Sequence, residues 1–262
     1  MGGLAKRDLD ELARAKALLE NPGLAARLSD VLGTPIEKGM RRLPANWQDK
    51  VQAATRTALQ KALGVALKTM DAQPREAPAN RLPKAMVAAS GAGGGAFGLA
   101  ALAIELPVST TLMLRSIADI ARSKGEDLSS IESRLACLEV FALGGRSPGD
   151  DASESGYFLV RAALAKAVSE AAEYVAERGL ARESAPALVR LISVISARFG
   201  VVVSEKAAAI AVPVLGAAGG AAINVLFMDH FQKMAEGHFT VRKLERRHGA
   251  AAVEAAYRRL PG

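Results

Sequence analysis

The fold is decided by two uncharged stretches, AMVAASGAGGGAFGLAALAI at Ala85–Ile104 and AAAIAVPVLGAAGGAAINVLFM at Ala207–Met228. Each is about as long as a helix that spans a bilayer, which needs roughly 20 residues. Both stretches place glycines four residues apart, at Gly91/Gly95, Gly94/Gly98 and Gly216/Gly220. This spacing removes side chains from one helix face, so that a second backbone can approach closely. We therefore expect a tightly packed helical centre, either in a soluble core or against a membrane.

The composition favours an all-α protein. Half of the 262 residues are hydrophobic, whereas only 4% are aromatic. Alanine and aliphatic side chains must therefore fill most of the core, and alanine favours helix. Alternating β-branched runs, which indicate strands, are scarce. We predict a single helical domain with a Gly/Ala-rich packed central hairpin or bundle.

Positive charge is concentrated towards the two ends of the chain. The net charge is +7, with +6 in residues 1–85, −2 in residues 86–228 and +3 in residues 229–262. Basic segments beside apolar ones suit an anionic membrane surface. The alternative is that the charge serves solubility alone. Nucleic acid is not an expected partner, because the basic residues lack a helix-turn-helix signature and interleaved aromatic residues.

Prolines and glycines divide the chain into three parts. Residues 1–45 form an N-terminal arm of short helices, residues 46–257 the main helical domain, and residues 258–262 a C-terminal tail. Within the domain we predict a helix over residues 46–70 with Asn46 as its N-cap. The proline-rich residues 71–83 then form a linker.

Further helix boundaries follow from capping and stop signals. We expect a kink or a break at Leu106–Pro107, because proline disrupts a helix interior. Glycine at 125, 179 and 249 is placed to end helices, and Ser129 with Glu132 forms a capping box for another. The predicted helices run over 107–124, from the capping box to 144, over 157–178, over 184–199 and over 229–248.

The helix over residues 46–70 is the predicted contact with a membrane or partner protein. Its apolar residues fall near one face, and Trp47 begins it. Lys50, Arg56 and Lys61 lie on the remaining faces, as in a helix that rests in a membrane interface. The alternative is a surface helix whose apolar face packs on the core.

Charged residues isolated in apolar runs are the candidate reactive groups. Glu105, Arg115 and Glu139 each interrupt such a run. Buried charges need partners, so either glutamate is expected to pair with Arg115. The pair would be a core salt bridge or, together with His238, part of a polar cleft of a hydrolase-type enzyme.

No cofactor and no metal is predicted. Gly91–Ala96 matches a dinucleotide fingerprint but does not follow a strand, and Gly145–Gly149 matches a nucleophile elbow whose oxyanion-hole amide would fall on a proline. The histidines at 230, 238 and 248 lack the spacing of a metal site. Cys137 is the only cysteine, so no internal disulfide forms and a reducing compartment is expected.

Three segments resemble EcsC-type proteins: ELPVSTTLMLRSIADIARSKGEDL (Glu105–Leu128), LEVFALGG (Leu138–Gly145) and AVPVLGAAGGAAINVLFMDHFQKMAEGHFTVRKLERRHG (Ala211–Gly249). The last is the most specific, with a Pro-Val-x-Gly-Ala block followed by an Asn, a Phe and Ala-x-x-His-Phe-x-x-Arg-x-Leu-Glu. The matching residues are Asn224, Phe227, Ala235, His238, Phe239, Arg242, Leu244 and Glu245. His248 departs from the pattern, which has an aromatic residue there.

The resemblance covers roughly residues 45–257 and implies a mainly helical protein. Because the namesake is encoded with a membrane ABC transporter, it also implies work at a membrane. It supplies no catalytic residues. We therefore expect a membrane-associated accessory protein, cytoplasmic and peripheral to the inner membrane, that contacts lipid or a membrane transporter. Its ligand is unknown, and a hydrolase-type enzyme around Glu105, Arg115, Glu139 and His238 is the alternative.

Overall fold

The structure, a computed structural model, describes residues 4–20, 23–33, 35–70, 102–143, 156–179, 185–211 and 216–261. These residues form ten helices and no strand, which confirms the all-α prediction. In chain order the helices are α1 (Lys6–Glu20), α2 (Leu24–Leu32), α3 (Ile36–Met40), α4 (Trp47–Thr69), α5 (Leu102–Ser123), α6 (Ile131–Leu143), α7 (Gly156–Arg178), α8 (Pro186–Ile210), α9 (Gly216–His248) and α10 (Ala250–Arg259).

The two longest helices, α8 and α9, organise the bundle. Helix α8 packs against α3, α4, α6 and α7, while α9 packs against α1, α5 and α10. Four of the seven phenylalanines meet where these helices and α6 come together, with ring centroids 4.9 Å apart for Phe141–Phe199 and 5.4 Å apart for Phe199–Phe231. The few large aromatic side chains therefore fill the centre, and alanine and aliphatic residues fill the rest.

A smaller apolar cluster joins α1 and α10 to the main body. Leu12 of α1, Tyr157 of α7, Leu244 of α9 and Tyr257 of α10 are buried in it. The Lys16 ammonium donates hydrogen bonds to the carbonyls of Tyr257 and Leu260, at 3.3 and 2.7 Å. These carbonyls lie at the C-terminal end of α10, where backbone carbonyls lack partners within the helix. A cation there also interacts favourably with the helix dipole.

Among the described residues, close backbone approach is found at Gly39 and Gly237, whereas the packing expected at Gly216/Gly220 stays a prediction. A Cβ at Gly39 of α3 would overlap the carbonyl oxygen of Ala208 in α8. A Cβ at Gly237 of α9 would lie 2.7 Å from Leu19 Cγ and 3.0 Å from the carbonyl oxygen of Ala15 in α1. The predicted packing at Gly91–Gly98 lies outside the described residues.

Most helix boundaries agree with the predictions, and glycines with positive φ follow α5, α7 and α9 at 125, 179 and 249. Of the kink or break expected at Leu106–Pro107, the break is wrong, because α5 continues through Pro107. The carbonyl that loses its donor there belongs to Ala103, an exposed residue. Helix α6 is capped by Ser130, whose Oγ accepts from the Ser133 amide at 3.1 Å, rather than by Ser129.

Among the described helices, α8 is the one that is long and apolar enough to cross a membrane. Its inner face is buried at the centre of the bundle by Leu188, Leu191, Ile195, Phe199 and Val203. The stretch Ala207–Met228, expected to be of spanning length, is divided between α8, which ends at Ile210, and α9, which begins at Gly216.

Candidate functional site

Glu139, Tyr157 and His238 form a buried polar cluster contributed by α6, α7 and α9. The Tyr157 hydroxyl and His238 Nδ1 share a hydrogen bond of 3.0 Å. His238 Nε2 lies 3.8 Å from a Glu139 carboxylate oxygen, beyond hydrogen-bond distance, and has no hydrogen-bond partner among the described residues. The cluster therefore brings together two of the four predicted reactive residues, Glu139 and His238.

Burial controls the charges of this cluster. It raises the pKa of Glu139 to about 7, although the cations of Arg242 and Arg161 oppose the rise. Burial lowers the pKa of His238 well below its ordinary value, and the same two arginines lower it further. Both side chains are therefore biased towards their neutral forms.

The two arginines near the cluster are held by other carboxylates. Arg161 donates two hydrogen bonds to Glu245, at 2.7 and 3.0 Å. Arg242 donates two to Glu126, at 2.9 and 3.0 Å. Because His238 has no exposed surface and Glu139 is only 7% exposed, this cluster ties three helices together and offers no surface to a substrate.

A second buried charged cluster surrounds Glu105. Its carboxylate accepts hydrogen bonds from Lys206 of α8 at 2.6 Å and from Asn224 of α9 at 2.7 Å. The Lys206 ammonium also lies 4.7 Å from the centre of the Phe227 ring. Burial alone would raise the pKa of Glu105, but the Lys206 charge and the hydrogen bonds from Lys206, Asn224 and Ser109 outweigh it and lower the pKa.

The predicted pairing with Arg115 is wrong. Arg115 is exposed, and the partner of Glu105 is Lys206 instead. Ile104, Val108 and Arg115 fall along one stripe of α5, because they are spaced by four and seven residues, and this stripe faces outward. The predicted cleft of Glu105, Arg115, Glu139 and His238 is therefore not assembled in this structure.

The predicted contact helix is α4, with Asn46 directly before it, but the Asn46 side chain accepts no capping hydrogen bond from the helix amides. Trp47 is half-buried and packs against the core, whereas Lys50, Arg56 and Lys61 are exposed. Residues 36–70 hold seven Lys or Arg and two Asp or Glu, all exposed. Six of these cations form no salt bridge with any described residue: Lys38, Arg41, Arg42, Lys50, Arg56 and Lys61.

A groove of about 540 Å³ opens between the N-terminal part of α4, from Trp47 to Thr57, and Leu102 and Ala103 at the start of α5. Its walls include Trp47, Val51 and Ala54 from α4 and Leu102 and Ala103 from α5. Lys50 and Thr57 add polar groups to an otherwise apolar lining.

Exposed apolar side chains continue from the groove along α5. Ile104 is 77% exposed and Val108 is 48% exposed. Ile104 directly follows Ala103, which lines the groove, and Val108 lies one turn beyond Ile104. We define the basic apolar face as the groove, these two side chains and the six unpaired cations of residues 36–70.

Several residues of these sites could not be found from sequence patterns. Tyr157 stands next to Phe158 in the sequence, in no pattern that marks it as part of a site. Its contact with His238 joins positions 81 residues apart. Asn224 carried a weak signal, since it is the one strongly polar side chain in Ala207–Met228. Lys206 stands directly before that stretch, but only the tertiary structure, in which its ammonium reaches Glu105 of α5, identifies its partner.

Three further features of the sequence remain: Cys137, the residue types that could bind a metal, and two glycine motifs. Cys137 is buried, and burial raises the pKa of its thiol. Within the part of the chain that the structure describes, no three His, Cys, Asp or Glu side chains lie close enough to hold a metal ion. The glycine motifs at 91–96 and 145–149 lie outside the described residues.

Comparison with known proteins shows the family of this chain. Searches of curated proteins and of solved structures find no match. The sequence pattern of the EcsC protein family matches residues 6–244, which include helices α1 to α8 and most of α9. Because this match covers well over half of its length, the chain belongs to the EcsC protein family.

Proposed function

We propose that this protein binds reversibly to an anionic membrane surface through its basic apolar face. The observation that carries the proposal is the set of six exposed cations without a salt-bridge partner among the described residues. They lie on α4 and in the segment before it, and the exposed Ile104 and Val108 lie on the neighbouring α5. An anionic surface would satisfy the cations while the apolar side chains enter the interface.

The expected strength of this contact follows from its parts. A Lys or Arg near an anionic bilayer contributes roughly 1 kcal/mol, and salt screens this contribution. The two exposed aliphatic side chains, Ile104 and Val108, add apolar burial but offer much less apolar surface than a membrane-spanning helix. Binding that depends on several cations and little insertion is peripheral and reversible. The cytoplasmic leaflet, which carries anionic lipids, is the proposed site of action.

An acidic cytoplasmic region of a membrane transporter would be a second partner for the same cations. The hydrolase alternative has less support. Its Arg115 is exposed, its Glu105 is held by Lys206 and Asn224, and its His238 has no exposed surface. We therefore place the function at the surface of the protein rather than at its buried polar clusters.

Flotation with liposomes tests the membrane proposal. The wild-type protein is expected to float with vesicles that contain phosphatidylglycerol and to remain behind with vesicles of phosphatidylcholine alone. Rising salt should release it. The triple variant Lys50→Gln, Arg56→Gln, Lys61→Gln should lose most of the floating fraction, because three unpaired cations of the face are removed.

A matched control separates this face from overall charge. Lys6, Arg7 and Arg14 are exposed on α1, which packs on α9 and α10 rather than on α4. Their triple replacement by glutamine removes the same charge and should leave flotation nearly unchanged. Equal flotation on neutral vesicles, or equal losses in both triple variants, would contradict the proposal.

A further inference from the structure

We propose that the groove between α4 and α5 binds one acyl chain of an anionic phospholipid, with the Lys50 ammonium against the headgroup phosphate. The inference rests on the proposed membrane function and gives it a specific ligand. It adds that the face takes up a single lipid molecule in addition to resting on the bilayer.

The size and lining of the groove suit an acyl chain. Its volume of about 540 Å³ lies within the range of ligand pockets, roughly 300–1,000 Å³. Trp47, Val51 and Ala54 form one wall, and Leu102 and Ala103 form the other. Most of the lining offers dispersion contacts to a hydrocarbon chain, and its hydrogen-bonding groups are those of Lys50, Thr57 and the Trp47 indole.

The charges beside the groove suit a phosphate headgroup. Lys50 lines the groove, is exposed and has no salt-bridge partner among the described residues. Pro44 lines it as well, and the exposed Arg41 and Arg42 precede Pro44 by three and two positions. A ligand with one apolar chain and one anionic end therefore matches both parts of the site.

The same charges argue against other occupants of the groove. A second copy of this chain that presented the same face would bring its unpaired cations against those of the first, which is unfavourable. A basic amphipathic helix would meet the same repulsion. An anionic phospholipid neutralises the cations, and its chain removes the apolar walls from water.

Fluorescence quenching tests the inference directly, because Trp47 is the only tryptophan in the chain. The probe is a phosphatidylglycerol vesicle whose acyl chains are brominated near their methyl ends. In a bilayer these bromines lie near the midplane, far from a tryptophan at the surface. A chain drawn into the groove would bring them against the indole, so strong quenching is expected for the wild-type protein.

Two variants fill the groove from opposite walls without entering the core. Ala53 and Ala103 line the groove and are exposed. Ala53→Phe and Ala103→Phe should therefore fold normally and float on the same vesicles, but lose the quenching. Gln60→Phe adds the same side chain at an exposed position of α4 outside the groove, and it should be quenched like the wild type.

The outcomes separate the two proposals. Normal flotation of the wild type without quenching would overturn the acyl-chain inference and leave the membrane proposal standing. Quenching that persists in both groove-filling variants would overturn the inference as well, since the chain would lie elsewhere. Absence of flotation on anionic vesicles would overturn both.

Discussion

Single residues determine how this helical core tolerates charge. Lys206 has no exposed surface, and its ammonium is compensated by Glu105, with Asn224 completing the carboxylate's hydrogen bonds. A buried pair of this kind contributes little net stability, because desolvation offsets most of the attraction. Removal of one partner is far more damaging, since an uncompensated charge stays buried. The Glu105 cluster therefore specifies how α5, α8 and α9 fit together.

Glu139 differs from Glu105 because no Lys or Arg among the described residues forms an ion pair with it. Burial raises its pKa from 4.5 to about 7, so the folded protein holds this proton more tightly than the unfolded chain. Between these two pH values the unfolded chain has lost the proton and the folded protein keeps it. The Glu139 contribution to stability is therefore greatest below pH 4.5 and falls as the pH rises to about 7.

This linkage predicts an unusual effect of Glu139→Gln, which mimics the protonated acid. At pH 8 the variant should be more stable than the wild type, by up to about 3 kcal/mol at roughly 1.4 kcal/mol per pKa unit. Near pH 5 the advantage should largely vanish. Urea unfolding at several pH values measures both curves, and their difference isolates Glu139 from the opposing titration of His238. A difference that does not change with pH would contradict the prediction.

At the scale of elements, glycine sets how closely helices approach. Gly39 of α3 is buried against the backbone of Ala208 in α8, and backbone cannot move aside as a flexible side chain can. Gly200 also lies in a helix, α8, but an added Cβ there meets nothing within 4 Å. Comparing an alanine substitution at Gly39 with one at Gly200 therefore separates the packing effect of the added methyl group from its effect on helix propensity.

We expect Gly39→Ala to destabilise the protein by about 1–3 kcal/mol, because the added methyl group forces α3 away from α8. Gly200→Ala should be neutral or stabilising by up to about 1 kcal/mol, since alanine is the better helix former. Thermal or urea unfolding of the purified variants measures both. Equal effects of the two substitutions would show that α3 does not pack against α8 as described.

At the scale of the whole molecule, the burial of apolar surface bears on whether the proposed membrane association is peripheral or integral. Helix α8 is long and apolar enough to span a bilayer, yet Leu188, Leu191, Ile195 and Phe199 on its inner face are buried in the bundle. Insertion of this helix would require the bundle to open and lose the packing of α3, α4, α6 and α7. The attachment proposed for the basic apolar face requires no such unfolding.

Alkaline carbonate extraction tests this arrangement in membranes isolated from cells that produce the protein. The protein is expected to leave the membrane fraction, because the treatment disrupts surface attachment and leaves spanning helices in place. A protein with a known spanning helix, followed in the same extract, serves as the control. Retention of this protein in the extracted membrane would show stable insertion and would contradict peripheral binding.

The sequence by itself determined the helical class, the family and many helix ends. These follow from local rules: composition favours helix, and glycines at 125, 179 and 249 adopt the positive φ that ends a helix. It also identified the cations of α4, since exposed charges need no partner elsewhere in the chain.

Only the tertiary structure decided which distant residues meet. Glu105 pairs with Lys206, 101 positions away, and Arg115 faces outward. Periodicity shows that a helix has a buried face, but it does not state which residue of another helix lies opposite. The groove beside Trp47 likewise exists only because α4 and α5, separated by residues 70–101 in sequence, lie side by side. Such contacts depend on how helices pack as solid bodies, which no local pattern encodes.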